Sequence, residues 1–340
     1  MDIEKLGMKE ITFDEFDNLL IGHAANEEAA TGCTVLISEK GMPAAVDIRG
    51  GGPASRETGL LKPLASAETI HAILLSGGSA FGLEAGCGVA EFLEEKGIGF
   101  ETGYTKVPLV CQSCIYDLGV GSVKVRPDKK MGYDACVDAY EGKHRLLRGN
   151  VGAGMGATVG KGRGGYSMMK SGLGMYALQY GDLKVGALVV VNALGDIYDC
   201  QTHEKIAGML NLQKNGFDDC ETELIANITK MEQAAKCTSN TTIGVVVTNA
   251  AFNKMELQRV CSASHNAYAR TIRPVHTSAD GDSIYAASVG SIKANLDVVS
   301  AIATEVMARA VNDAVNSTEE KYGLLCADSM RKSYEDRCGN

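Results

Sequence analysis

Residues 238–250 read TSNTTIGVVVTNA, a polar tripeptide followed by ten residues of which seven are β-branched. Such a run has no alternating polar face, so it predicts a strand buried on both sides. Upstream, Asp219–Cys237 reads as a helix that ends in the loop Thr238-Ser239-Asn240. Downstream, RTIRPVHTSADGDSIYAASVG (270–290) reads as loop, turn and strand. A helix is then expected over Asn295–Asn316. Its apolar Leu296, Val299, Ala303, Val306 and Ala310 recur at intervals of three and four, giving one buried face.

Further outward, Val185–Tyr198 reads as a strand interrupted at Asn192, and Lys106–Val125 as strand-like. Ala80–Lys96 predicts a helix with Gly97 as its C-cap. Thr69–Gly78 predicts a strand, and residues 32–47 two strands around a turn at Lys40–Gly41. Helices and strands take turns along the chain, which predicts an α/β or α+β fold. No repeat or linker divides it, so residues 1–340 are expected to form a single domain.

The charged fraction is 22% and the net charge −9, with no run of Lys and Arg, which argues against a nucleic-acid partner. No apolar stretch reaches the roughly 18 residues that a membrane helix needs. The N-terminus MDIEKLGMKEITFDEF is acidic and lacks a signal-peptide core, so a cytoplasmic protein is expected. Eleven cysteines include a single C-x-x-C pair, Cys111 and Cys114, in a segment that reads as strand and turn. Structural thiols are expected there, not a metal or redox site.

Four constellations could carry chemistry. In the glycine run 149–165, Gly152, Gly154 and Ala157 fit a loose dinucleotide fingerprint, but TVGKGRGG cannot continue as a helix. A phosphate-binding loop fails because Met155 and Gly162 stand where Gly and Ser or Thr are needed. The run is either a glycine-lined backbone crossing or a rigid turn presenting Lys161 to a site. In LLSGGSAFG, Gly77 and Ser79 resemble a nucleophile elbow, but Phe81 replaces its last glycine. None of the six histidines has a recognisable base setting, so Ser79 reads as a tight turn.

Asn240-Thr241-Thr242 fits a glycosylation sequon, a plain loop or a turn cap. It also permits a specific reaction. If the bond before Thr241 breaks, the new α-amino group has a pKa near ~8 and can activate the threonine hydroxyl without histidine. Asp280-Gly281-Asp282 reads either as two metal-binding carboxylates or as an acid pair that orients a nucleophile and shuttles protons.

Five blocks, RGGGPASRETGLLKP, LLSGGSAFGLEAGCGVAEFLEEKGIGFETG, GNVGAGMGATVGK, NTTIGVVVTNA and RPVHTSADGDSIYAAS, occur in one order. Together they resemble the L-aminopeptidase/D-esterase family of N-terminal-nucleophile hydrolases, which includes β-peptidyl aminopeptidases and nylon-oligomer hydrolases. The resemblance implies a four-layer αββα sandwich, shared with ornithine acetyltransferases. It also implies self-cleavage between Asn240 and Thr241 into pieces 1–240 and 241–340, which assemble as a homotetramer. Thr241 would be the nucleophile, Asn192 an oxyanion donor, and Asp280 and Asp282 the acids beside it. The Asp/Asp pair, the threonine and Lys161 resemble the nylon-oligomer branch, whereas the peptidase branch has Ser and Glu at the acid positions. Tyr116, in IYDLG, matches a site tyrosine of the family. The expected activity is hydrolysis of a small peptide or amide through an acyl-enzyme, with no metal or cofactor. An acetyltransferase-like acyl transfer to an amine and a non-catalytic member of the fold are the alternatives.

Overall fold

The computed structural model describes residues 1–226 and 240–338. Two sheets face each other. The six-stranded sheet runs β1 (Lys9–Ile11), β8 (Leu173–Tyr180), β9 (Leu183–Asn192), β10 (Thr241–Ala250), β11 (Ser283–Ile292) and β4 (Ala44–Ile48). The five-stranded sheet runs β2 (Leu20–Asn26), β3 (Thr31–Met42), β6 (Ile70–Ser76), β7 (Val110–Cys114) and β5 (Ala54–Arg56). Helices α1 (Ala85–Glu95) and α2 (Lys129–Glu141) cover the outside of the five-stranded sheet. Helices α3 (Lys254–Thr271) and α4 (Leu296–Asn316) cover the outside of the six-stranded one. The layers are therefore α, β, β, α, as the resemblance implied.

The unbroken apolar strands follow from this layering, because both faces of each sheet are covered. In β9, Val185, Ala187, Val189 and Val191 pack with residues of α3 and α4. Leu188 and Val190 of the same strand join Leu36, Ile73 and Leu75 between the sheets. In β10, Val246 faces the helices while Ile243, Val245 and Val247 face the opposite sheet. Each buried Val, Leu or Ile side chain of this kind contributes roughly 1.5–3 kcal/mol.

Several sequence-based boundaries hold. Asn295 caps α4 by accepting from Asp297 N at 2.9 Å and Val298 N at 3.1 Å. Gly97 adopts φ +67° and ends α1 as expected. Others move. Residues 79–84 form a 3₁₀ turn before α1 begins at Ala85. The strand from residue 31 continues through Gly41 to Met42, and the break falls at Pro43, which has no N–H to extend a ladder. The strands on either side of Pro43, β3 and β4, belong to different sheets.

The strand expected over Lys106–Val125 ends at Cys114. Past it, Asp117 turns inward to accept from Gly78 N and the Thr31 hydroxyl, which bends the chain off the sheet. The helix expected over Asp219–Cys237 is present at Cys220–Ala226, and its remainder, with Thr238 and Ser239, lies outside the described residues. Among the described residues no helix is long and apolar enough to cross a membrane.

Candidate active site

β10 begins at Thr241, and its neighbours bring the other candidates to that end of the sheet. Antiparallel pairing with β9 sets Asn192 directly opposite Thr241. On the other side, β11 runs parallel to β10, and the ladder is prolonged by a bridge between Asn240 and Asp280. Register alone thus gathers Asn192, Thr241 and Asp280 from three distant segments. Thr241 is 4% exposed, and Asn192, Asp280 and Asp282 are buried with it.

The bond between Asn240 and Thr241 is held from both ends. The Thr241 hydroxyl donates to the Asn240 carbonyl oxygen. The same oxygen accepts from Gly281 N at 3.2 Å. Asp282 Oδ1 accepts from Thr242 N at 2.7 Å, one residue past the bond. Its Oδ2 accepts from His276 Nδ1 at 2.8 Å and from His276 N at 3.2 Å. Asp280 Oδ2 accepts from Thr277 N at 2.6 Å. Burial and the neighbouring Asp282 charge push the Asp280 carboxyl up to about 6.

Asn192 is anchored through its amide oxygen, which accepts from Lys161 Nζ at 2.7 Å and from Thr158 N at 3.1 Å. Its nitrogen faces the other way and donates to the Tyr116 carbonyl at 3.1 Å. Lys161 Nζ also donates to the Asn192 backbone carbonyl at 3.0 Å. Burial pushes the Lys161 ammonium down to about 7, against the opposing pull of Asp280 and Asp117. Both readings of the glycine run describe part of the geometry: Gly154, Gly156 and Gly160 pass directly against other backbone, and the turn sets Lys161 beside Asn192. Lys161 N donates to Leu194 O and Gly160 N to Gly195 O, which pins the turn against the segment after β9. Gly160 holds φ +74°, where a side chain would also collide with Gly208.

All six candidate residues therefore converge, although Tyr116 contributes through its backbone carbonyl. Three participants escaped the sequence reading. Asp117 faces Lys161 from inside the fold; its own signal was its place beside Tyr116 in a buried segment. His276 stands six residues before Asp282 and supports that carboxylate. The loop RGGGP lies against the Asp280–Asp282 turn, with Gly52 N donating to Asp280 O at 2.7 Å and Arg49 N to Asp282 O at 2.9 Å.

Ser79, the elbow-like serine, sits at φ +53° in a turn wrapped around Asp117, with Gly78 N donating to that carboxylate. Cys111 and Cys114 are buried in β7, and burial raises both thiols to about 12, the behaviour of inert core cysteines. Among the described residues no three His, Cys, Asp or Glu side chains converge as metal ligands.

The sequence model of peptidase family S58 matches residues 15–336. An uncharacterized aminopeptidase of Mycobacterium leprae is 38% identical over 316 residues, covering 87% of this chain and 85% of the relative. A 6-aminohexanoate-oligomer endohydrolase of Kocuria sp. is 32% identical over 336 residues, covering 92% and 88%. The solved structure of the L-aminopeptidase D-Ala-esterase/amidase of Ochrobactrum anthropi, described as a variant of the Ntn-hydrolase fold, superposes with a TM-score of 0.68. That superposition covers 99% of this chain and 98% of the other at 15% identity, so it establishes a shared fold. The near full-length family match and the two sequence relatives lead to one conclusion: the chain belongs to peptidase family S58 and is a hydrolase of peptide or amide bonds.

Proposed function

We propose that this protein cuts its own chain between Asn240 and Thr241 and then hydrolyses small peptides or amides with Thr241 as N-terminal nucleophile. The observation that carries the reading is the Thr241 hydroxyl resting on the carbonyl of the bond to be cut, with Asn192 directly across the ladder. In self-cleavage, Thr241 Oγ1 adds to the Asn240 carbonyl carbon and the C–N bond breaks. The hydroxyl proton ends on the departing amine, and an ester joins Asn240 to Thr241. Water then cleaves the ester, leaving a carboxylate on Asn240 and a free α-amine beside the Thr241 hydroxyl.

In turnover that α-amine takes the hydroxyl proton as the substrate carbonyl is attacked, and later protonates the leaving amine. Asn192 Nδ2 is the oxyanion donor, an interaction worth ~2.7–4 kcal/mol of barrier in such sites. Lys161 holds the Asn192 oxygen and adds positive charge, and Tyr116 lends its carbonyl as the amide's second anchor. Asp282 locks the strand start through Thr242 N, and Asp280, bridged to Asn240, is the proton relay to the new amine in this reading. The two pieces stay together because β10 and β11, both from the second piece, are interior strands of the six-stranded sheet.

Relatives named for aminopeptidase and for oligomer endohydrolase activity share the amide bond as target, and the proposal goes no finer than that. Assembly as a homotetramer is proposed on the family resemblance, and a cytoplasmic location on the sequence composition. A denaturing gel with N-terminal sequencing tests the reading. Two bands are expected, the smaller starting at Thr241, and Thr241→Ala should leave one band without amidase activity. An uncleaved active enzyme, or a fragment starting elsewhere, refutes it.

A further inference from the structure

Lys170 is fully buried, yet it belongs to none of the groups that would touch substrate. It stands in a two-stranded ladder directly opposite Thr158, at the foot of the glycine run. Its Nζ donates to the carbonyl oxygens of Gly154 at 3.1 Å, Ala157 at 3.2 Å and Ser171. Burying an ammonium is costly unless its donors are all satisfied, and an apolar side chain of similar length would fill the same space more cheaply. The three converging carbonyls answer the first requirement. They leave open what the charge is for.

The Ala157 carbonyl supplies an answer, because it is one end of a peptide group whose other end is Thr158 N–H. That N–H donates to Asn192 Oδ1 at 3.1 Å. The Ala157 oxygen also accepts from Ser171 N at 3.0 Å, so the peptide plane is held from two directions. A cation on the oxygen polarises the peptide and strengthens its N–H as a donor. The Asn192 oxygen thereby gains a firm partner, and its nitrogen is kept turned toward Tyr116 O. Rotated half a turn about its last bond, the same amide would aim an oxygen at the developing oxyanion.

We propose that Lys170 is a positioning residue that acts through the 157–158 peptide to hold the Asn192 amide in its donating orientation. The inference rests on the reading of Asn192 as oxyanion donor, and a double-mutant cycle separates the two. Self-cleavage rates would be followed on denaturing gels for Lys170→Met, Asn192→Ala, the pair together and Thr241→Ala. Lys170→Met should slow cleavage about 10-fold alone and less than about 2-fold in the Asn192→Ala background. On a small amide substrate it should lower kcat and leave KM unchanged.

Equal slowing by Lys170→Met in both backgrounds would overturn the inference, since a merely structural lysine acts regardless of residue 192. Should Lys170→Met fail to fold, Lys170→Gln keeps amide donors for the carbonyls without the charge. It is then expected to show the same coupling to Asn192, and additive effects overturn the inference. If instead Asn192→Ala or Thr241→Ala cleaves at the unaltered rate, the reading of the site itself fails, and the inference fails with it.

Discussion

Replacing Gly50 with alanine tests whether the RGGGP loop is the mould for the Asp280–Asp282 turn. A Cβ added at Gly50 would overlap the Asp280 carbonyl oxygen and the Asp282 nitrogen, and would stand 2.6 Å from the Asp280 carbonyl carbon. Ordinary contact between carbons is roughly 3.5–4.0 Å, so one backbone must give by about 1 Å. Neither yields easily, because both are tied by Gly52 N to Asp280 O at 2.7 Å and Arg49 N to Asp282 O at 2.9 Å.

Overpacking of this kind costs about 1–3 kcal/mol. With unfolding entropy near 2.1 cal/mol/K per residue, a chain of this length should lose only about 1–4 °C in Tm. The reaction is far more sensitive, since displacing a reacting group by about 1 Å costs on the order of 10²-fold in rate. Gly52→Ala is the internal control, because its added Cβ has one neighbour, Asp280 O at 3.7 Å. The assay is a time course of self-cleavage after synthesis of the full chain in vitro, read on denaturing gels, with melting curves alongside. Gly50→Ala is expected to cleave about 10²-fold slower and Gly52→Ala within about 2-fold of the unaltered chain. A normal rate for Gly50→Ala, or equal damage from both substitutions, would refute the reasoning.

Two further outcomes concern buried charge. The Asp280 carboxyl is raised to about 6, so between pH 4 and 6 the folded state holds a proton that the unfolded state releases. Stability from this group falls as pH rises through that window, and the penalty persists above it. Asp280→Asn should therefore be more stable than the unaltered protein at pH 7–8, by up to about 3 kcal/mol, while losing cleavage. A lower Tm for Asp280→Asn at pH 8 would contradict this. Lys161 is depressed to about 7, so from pH 7 to about 10 the unfolded state binds the extra proton and stability rises with pH. Across that range the unaltered protein should gain on Lys161→Met by at most ~1.4 kcal/mol per pH unit. Denaturant midpoints at pH 7 and 9.5 measure this, and a constant difference rules it out.

How much of this was legible beforehand differs from element to element. The run after Asn240 announces a strand buried on both faces because its composition leaves no polar face. The Asn295–Asn316 helix announces itself by period and cap. Helices α2 and α3 lie outside the sequence-based expectations, although Asp128 caps one and a capping box of Asn253 and Glu256 opens the other. Their apolar stripes are diluted with Lys, Arg, Asp and Glu, so caps were the stronger signal. Lys106–Val125 shows the reverse failure. Its composition suits a strand, but the buried Asp117 carboxylate drew the backbone off the sheet to satisfy Gly78 N and Thr31.

The sequence by itself determined several local pieces: that the run after Asn240 is a buried strand, that Thr241 begins it, and that Lys161 rides on a glycine turn. Those properties depend on side chains within a few positions of one another. Only the tertiary structure decided that Asn192 faces Thr241, that Asp280 bridges Asn240, and that Gly50 must lack a side chain so the acid turn can close. Each depends on sheet register or on backbones packed together from opposite ends of the chain. No spacing along the sequence encodes such a relation, because it is set by which strands pair and how far each is slid.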